Sequence, residues 1–86
     1  PQAFLPVLAM SLGVRGRALR EVGRVAEAAD AFEEGVRVLV PFYLRLPWAY
    51  AELMDGLVEG YLNACQAAGR EPDGALLKQV TKQGND

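Results

Sequence analysis

The sequence predicts an all-α chain of four helices, arranged as two stacked antiparallel hairpins. Three observations carry that prediction. Apolar residues recur every three or four positions over long stretches, which is the pattern of a helix with one buried side. Two Gly-Arg pairs, Gly23-Arg24 and Gly69-Arg70, interrupt those stretches where a helix would stop. The chain also matches itself at an offset of 46, the distance from Gly23 to Gly69. At that offset Pro1 meets Pro47, Ala3 meets Ala49, Phe4 meets Tyr50, Leu12 meets Val58, and the two Gly-Arg pairs coincide. The chain therefore divides into two related units, residues 1–46 and 47–86, within a single small domain. Neither period-two alternation nor an Asn-Gly or Asp-Gly hairpin between β-branched runs suggests a strand.

The first helix is expected over residues 5–22, with Pro6 tolerated in its first turn and Gly23 as its stop. Leu12, Gly16, Leu19 and Val22 share its inner side. The second begins at Val25 and turns Ala28, Ala29, Phe32 and Val36 inward, leaving Glu27, Asp30, Glu33, Glu34 and Arg37 on a solvated face. Gly16, Ala28 and Gly35 let these two helices approach closely, with Phe32 as the wedge between them. Pro41 removes the bond to the carbonyl of Arg37, so a kinked helix reaching about residue 44 is expected. Pro47 opens the third helix, 47–68, with Tyr50, Leu53, Met54, Leu57, Tyr61, Leu62 and Cys65 as its core face. Asp73 is suited to cap a short fourth helix, 74–81, whose core residues are Leu76, Leu77 and Val80. Residues 82–86 are expected to fray.

Composition narrows the function classes. A chain that is 51% hydrophobic and 23% charged is a folded one, and its net charge of −2 gives no reason to expect nucleic acid or an anionic membrane surface. No apolar run approaches the roughly 20 residues that span a bilayer. One cysteine cannot form an internal disulfide, which suits a reducing cytoplasm. Because the chain starts at Pro1 rather than Met and shows no signal peptide, it is expected to be a fragment or processed piece of something longer. The absence of histidine removes the commonest general base and metal ligand, so neither a metal nor a cofactor is expected. Cys65 aligns with Leu19 and reads as buried filler. Gly13-Val14-Arg15-Gly16 lies within a helix and lacks the Lys-Ser/Thr of a phosphate loop. An enzyme is not expected.

A particular set of residues goes further. It comprises Ala3-Phe4-Leu5-Pro6, Leu8-Ala9, Ser11-Leu12, Gly23-Arg24, Ala28, Glu33-Glu34-Gly35-Val36, and Pro47 with Ala49-Tyr50. This set resembles the tetratricopeptide (TPR) repeat family, in the long-helix variant of bacterial signalling proteins and kinesin light chains. The resemblance runs from residue 1 to about residue 70. Arg15 departs from it where the pattern has an apolar residue. Gly74 and Lys78 stand where the second unit should repeat Ala28 and Phe32, as in a degenerate capping repeat.

The resemblance implies a fragment of a right-handed solenoid and a scaffold for binding other proteins, the first helix of each hairpin lining a concave groove. Met10, Gly13, Arg17 and Arg20 share one face of the first helix. The offset carries that face onto Gly56, Glu59, Asn63 and Gln66 of the third. The expected occupant is a protein or extended peptide with acidic or amide groups toward Arg17, Arg20, Asn63 and Gln66. The rival reading is self-association into a homo-oligomer through the apolar run 38–50, with Phe42, Tyr43, Leu44 and Trp48 at the contact and a hinge between Pro41 and Pro47. A third reading, a regulatory repeat segment of a larger multidomain signalling protein, rests on the resemblance alone.

Overall fold

A computed structural model describes residues 5–81, and over that range the chain is all-helical: α1 (Leu5–Glu21), α2 (Val25–Arg45), α3 (Pro47–Ala68) and α4 (Gly74–Thr81). The matches expected at Pro1, Ala3 and Phe4, and the expected fraying over 82–86, lie outside the described residues. No strand occurs among the described residues. α2 is the central element and packs against α1, α3 and α4, while α1 also meets α3.

The two Gly-Arg turns have the same geometry. Gly23 and Gly69 both take a left-handed backbone, with φ of 86° and 68°. The Arg24 N–H donates to the Leu19 carbonyl at 2.9 Å and the Gly23 N–H to that of Arg20 at 3.0 Å. Arg70 and Gly69 repeat this on Cys65 and Gln66, at 2.9 and 3.2 Å. Each turn thus satisfies carbonyls that the end of a helix would otherwise leave open. The joint between α2 and α3 is tighter still. A single residue, Leu46, breaks the helix: its N–H donates to the Phe42 carbonyl, and its own carbonyl accepts the first bond of α3, both at 3.0 Å. α2 runs through Pro41 to Arg45, one residue past the expected end, so the break falls at Leu46, ahead of Pro47 at the start of α3. Asp73 caps α4 as expected, its Oδ1 accepting from the Leu76 N–H at 3.2 Å.

Two large side chains lock the three long helices. The Phe32 ring of α2 lies between Gly16 of α1 and Gly60 of α3: a Cβ added at Gly16 would stand 2.7 Å from the ring, and one at Gly60 would overlap it further. Leu57 of α3 lies between Gly13 of α1 and Gly35 of α2, where added Cβ atoms would stand 3.0 and 3.1 Å from its Cδ2. Ala9, Ala28, Ala29, Val36, Leu39, Met54, Tyr61 and Cys65 are among the other residues of the buried interior. The expected core is corrected at two positions. Val22 projects into solvent at the last turn before Gly23, and Leu62 is 41% exposed, since Gly60 and Ala64 occupy the buried arc of α3 there.

This packing sets two expectations for unfolding by denaturant. Gly16→Ala, Gly60→Ala and Ala28→Leu should each cost about 1–3 kcal/mol through overpacking, and Phe32→Ala about 3–5 kcal/mol through the cavity it leaves. Combining Gly60→Ala with Phe32→Ala should cost clearly less than the sum, because the methyl group then enters space the ring has vacated.

Candidate functional site

α1 and α3 run side by side, joined at their base by Leu57 beneath Gly13, and above that contact they leave an open groove of ≈ 450 Å³. Phe32, Leu53, Gly56, Leu57 and Gly60 form its apolar bed. Arg17 and Arg20 rise from α1, and Glu52, Glu59 and Asn63 from α3. The helical period explains the second wall: Glu52, Gly56, Glu59 and Asn63 recur at spacings of four, three and four. None of the four charged side chains forms an ion pair with another described residue, whereas Arg24, Arg37 and Arg70 all do. The groove therefore presents uncommitted charge of both signs.

Four expected groove residues, Arg17, Arg20, Glu59 and Asn63, come together here, with Gly56 between them. Three do not. Gly13 is buried under Leu57 and serves packing, because α1 must come close at that point. Met10 and Gln66 are exposed but lie outside the groove lining. Glu52, which was not expected in the groove, joins Glu59 on the wall opposite the two arginines. Of the residues assigned to self-association, Phe42 is half-buried and packs edge-to-face on Tyr50, with ring centroids 6.2 Å apart. Tyr43 is also half-buried, whereas Leu44 and above all Trp48, at 79% exposure, face solvent.

The solvated acidic face expected on α2 is also corrected, at Glu33. Its side chain is only 22% exposed and is the hub of a polar network. The Tyr61 hydroxyl and Arg70 Nη2 each donate to its Oε1 at 3.0 Å, and Arg37 donates to its Oε2. The Tyr61 oxygen in turn accepts from the Asp73 N–H at 2.8 Å; Arg37 reaches Asp73 at 3.1 Å and Arg70 reaches Asp30 at 2.8 Å. Burial pushes the Glu33 carboxyl up, but the hydrogen bonds from Arg37, Tyr61 and Arg70 outweigh it and hold the group below its ordinary 4.5. The Leu76 backbone N–H, then Arg37, likewise hold Asp73 below its ordinary 3.8. Cys65, beside this network, is pushed above its ordinary 9.0 chiefly by burial, which keeps it a neutral thiol and apolar filler. The missed signal was the aromatic hydroxyl of Tyr61 at a core position, which needs a polar partner when buried.

A carboxylate whose folded pKa is depressed contributes stability above its unfolded pKa and loses it as pH falls through the folded value. Stability should therefore hold above about pH 5 and decline below about pH 4 as Glu33 and Asp73 protonate. Glu33→Gln should flatten that decline in pH-dependent urea unfolding. Tyr61→Phe should cost about 1–3 kcal/mol at neutral pH, since it leaves the Asp73 N–H and one Glu33 lone pair without their partner.

Comparison with known proteins adds no relative: no family model, no curated protein and no solved structure matches the chain.

Proposed function

We propose that this chain is a protein-interaction module of TPR type that holds an extended peptide segment in the groove between α1 and α3. The observation that carries the reading is Gly56. A glycine inside a helix costs about 1 kcal/mol relative to alanine. Gly13, Gly16, Gly35 and Gly60 each offset that cost by admitting a neighbouring side chain. Gly56 admits none: an added Cβ would meet nothing within 4 Å, and the open space beside it is the groove. A bare helix surface at the centre of a groove lets a ligand backbone come close.

The unpaired charges fit the same occupant. Arg17 and Arg20 suit a carboxylate or amide on the ligand, through paired N–H donors. Glu52 and Glu59 suit an ammonium, guanidinium or amide on the other side, so the segment that fits best is extended and of mixed charge. The lining contains neither a thiol nor a hydroxyl side chain, which suits holding better than acyl or group transfer.

The test is a mixed-charge peptide array probed with labelled protein, its strongest binders then measured by fluorescence anisotropy. Gly56→Leu should fill the groove and abolish binding while leaving the thermal melt at or above that of the unsubstituted chain. Arg17→Ala with Arg20→Ala should weaken the acidic binders roughly 100-fold. Unchanged affinities in both variants would place the binding surface elsewhere.

A further inference from the structure

α1 is apolar on two sides. Its inner side, with Ala9, Gly13, Gly16 and Leu19, is buried. Its outer side carries Val7, Val14 and Ala18 at spacings of seven and four, with Ser11 among them, and Val22 continues the stripe into the turn that follows. All five are exposed, Val14 by 63%. An amphipathic helix would place polar residues there. At about 100° per residue, Arg15 flanks the stripe on one side, and Glu21 and then Arg17 on the other. The helix carries three arginines against the single acid Glu21.

A second apolar surface lies where α2, α3 and α4 meet. Tyr43, Met54, Val58, Leu62 and Val80 line an open groove of ≈ 580 Å³ there, with Asp55 and Glu59 on its rim. α3 carries Glu52, Asp55 and Glu59 and no basic residue. The two surfaces share no residue and carry opposite charge around their apolar centres.

We propose that the chain associates head to tail, the outer face of α1 in one copy seating in the α2–α3–α4 groove of the next. Charge complementarity selects a second copy as the occupant: Arg15 and Arg17 beside the α1 stripe outnumber Glu21 and meet Asp55 and Glu59 on the groove rim, while valines and leucine close the centre. Because the two surfaces differ, the contact is heterologous. A copy engaged through one face keeps the other free, so assembly continues until a face is blocked. This contact borders the peptide groove at Arg17 and Glu59 but leaves its bed and Gly56 uncovered, and it is separate from the exposed Trp48 at the α2–α3 joint.

Two variants test it, each changing an exposed residue outside the peptide groove and each checked for its helical melt. Val14→Asp blocks the α1 face and leaves the groove intact; Leu62→Arg blocks the groove and leaves the α1 face intact. In sedimentation velocity up to about 1 mM, the unsubstituted chain should form a ladder of oligomers that shortens with added salt. Each variant alone should stay monomeric. Their equimolar mixture should form a 1:1 dimer and nothing larger, since each supplies the face the other lacks. Trp48→Ser should leave the ladder unchanged. An unsubstituted chain that is monomeric throughout, a mixture that stays monomeric, or a ladder lost with Trp48→Ser would each overturn the proposal.

Discussion

The structure depends on one reciprocal insertion. Phe32 leaves α2 and enters the space between Gly16 and Gly60, and Leu57 leaves α3 and enters the space between Gly13 and Gly35. α2 and α3 each contribute one inserted side chain and line the other's socket, while α1 lines both, so no pair of the three can separate without undoing the third contact. The glycines are what make the geometry reachable. An aromatic ring held between two helix backbones requires that neither carry a side chain at that height, and dense packing leaves no slack for a methyl group. Leu57 also sets the depth of the α1–α3 groove, because it draws the two helices together at the base while their longer side chains stand apart above.

The Glu33 network does for the fourth helix what the insertion does for the first three. α4 has eight residues, too few to be stable as a helix by itself, and buries only Leu76 and Val80. Its first turn is instead held from three directions: by its own cap at Asp73, by the Tyr61 hydroxyl, and by Arg37 of α2. Arg70, one residue past the Gly69 turn, ties the preceding loop to Asp30 and Glu33. A small apolar contact and a dense polar one share the task. That division explains why burial of Glu33 is tolerated: the carboxylate accepts bonds from three donors, two of them cationic.

Helix positions and turns were legible in the sequence because they rest on local rules. Gly23, Gly69, Pro47 and Asp73 act within a few residues of themselves, and each does in the structure what its type dictates. Phe32 as wedge and Gly16 as close-approach point were legible for the same reason, being large-to-small complements across one hairpin. What failed was anything set by a third element. Gly13 shares a helix face with Arg17 and Arg20, and only the arrival of Leu57 from α3 buries it. Glu33 lies on the polar side of α2, and only Tyr61 and Arg70, far along the chain, draw it inward. The period of a helix reports which side a residue takes, not which neighbour arrives there. Leu62 shows the converse: an apolar residue on a long apolar helix, left facing solvent because Gly60 and Ala64 took the buried arc.

Gly56 and the outer stripe of α1 are informative because both break a rule with no compensation among the described residues. A mid-helix glycine without a close neighbour and a row of valines in water each cost stability, and natural sequences accept such costs where an interaction requires them. The two features also ask for different things. A missing side chain asks for a backbone to approach, whereas surplus apolar side chains ask for area to be covered. A single partner meeting both demands would have to wrap from the α1–α3 groove around α1 to its far side, past the arginines that separate them. Two separate contacts meet the demands without that constraint. Under the two proposals an extended segment would lie on Gly56 and a helical surface would cover Val7, Val14 and Val22, so that one chain would hold a peptide while it stacks upon a neighbour.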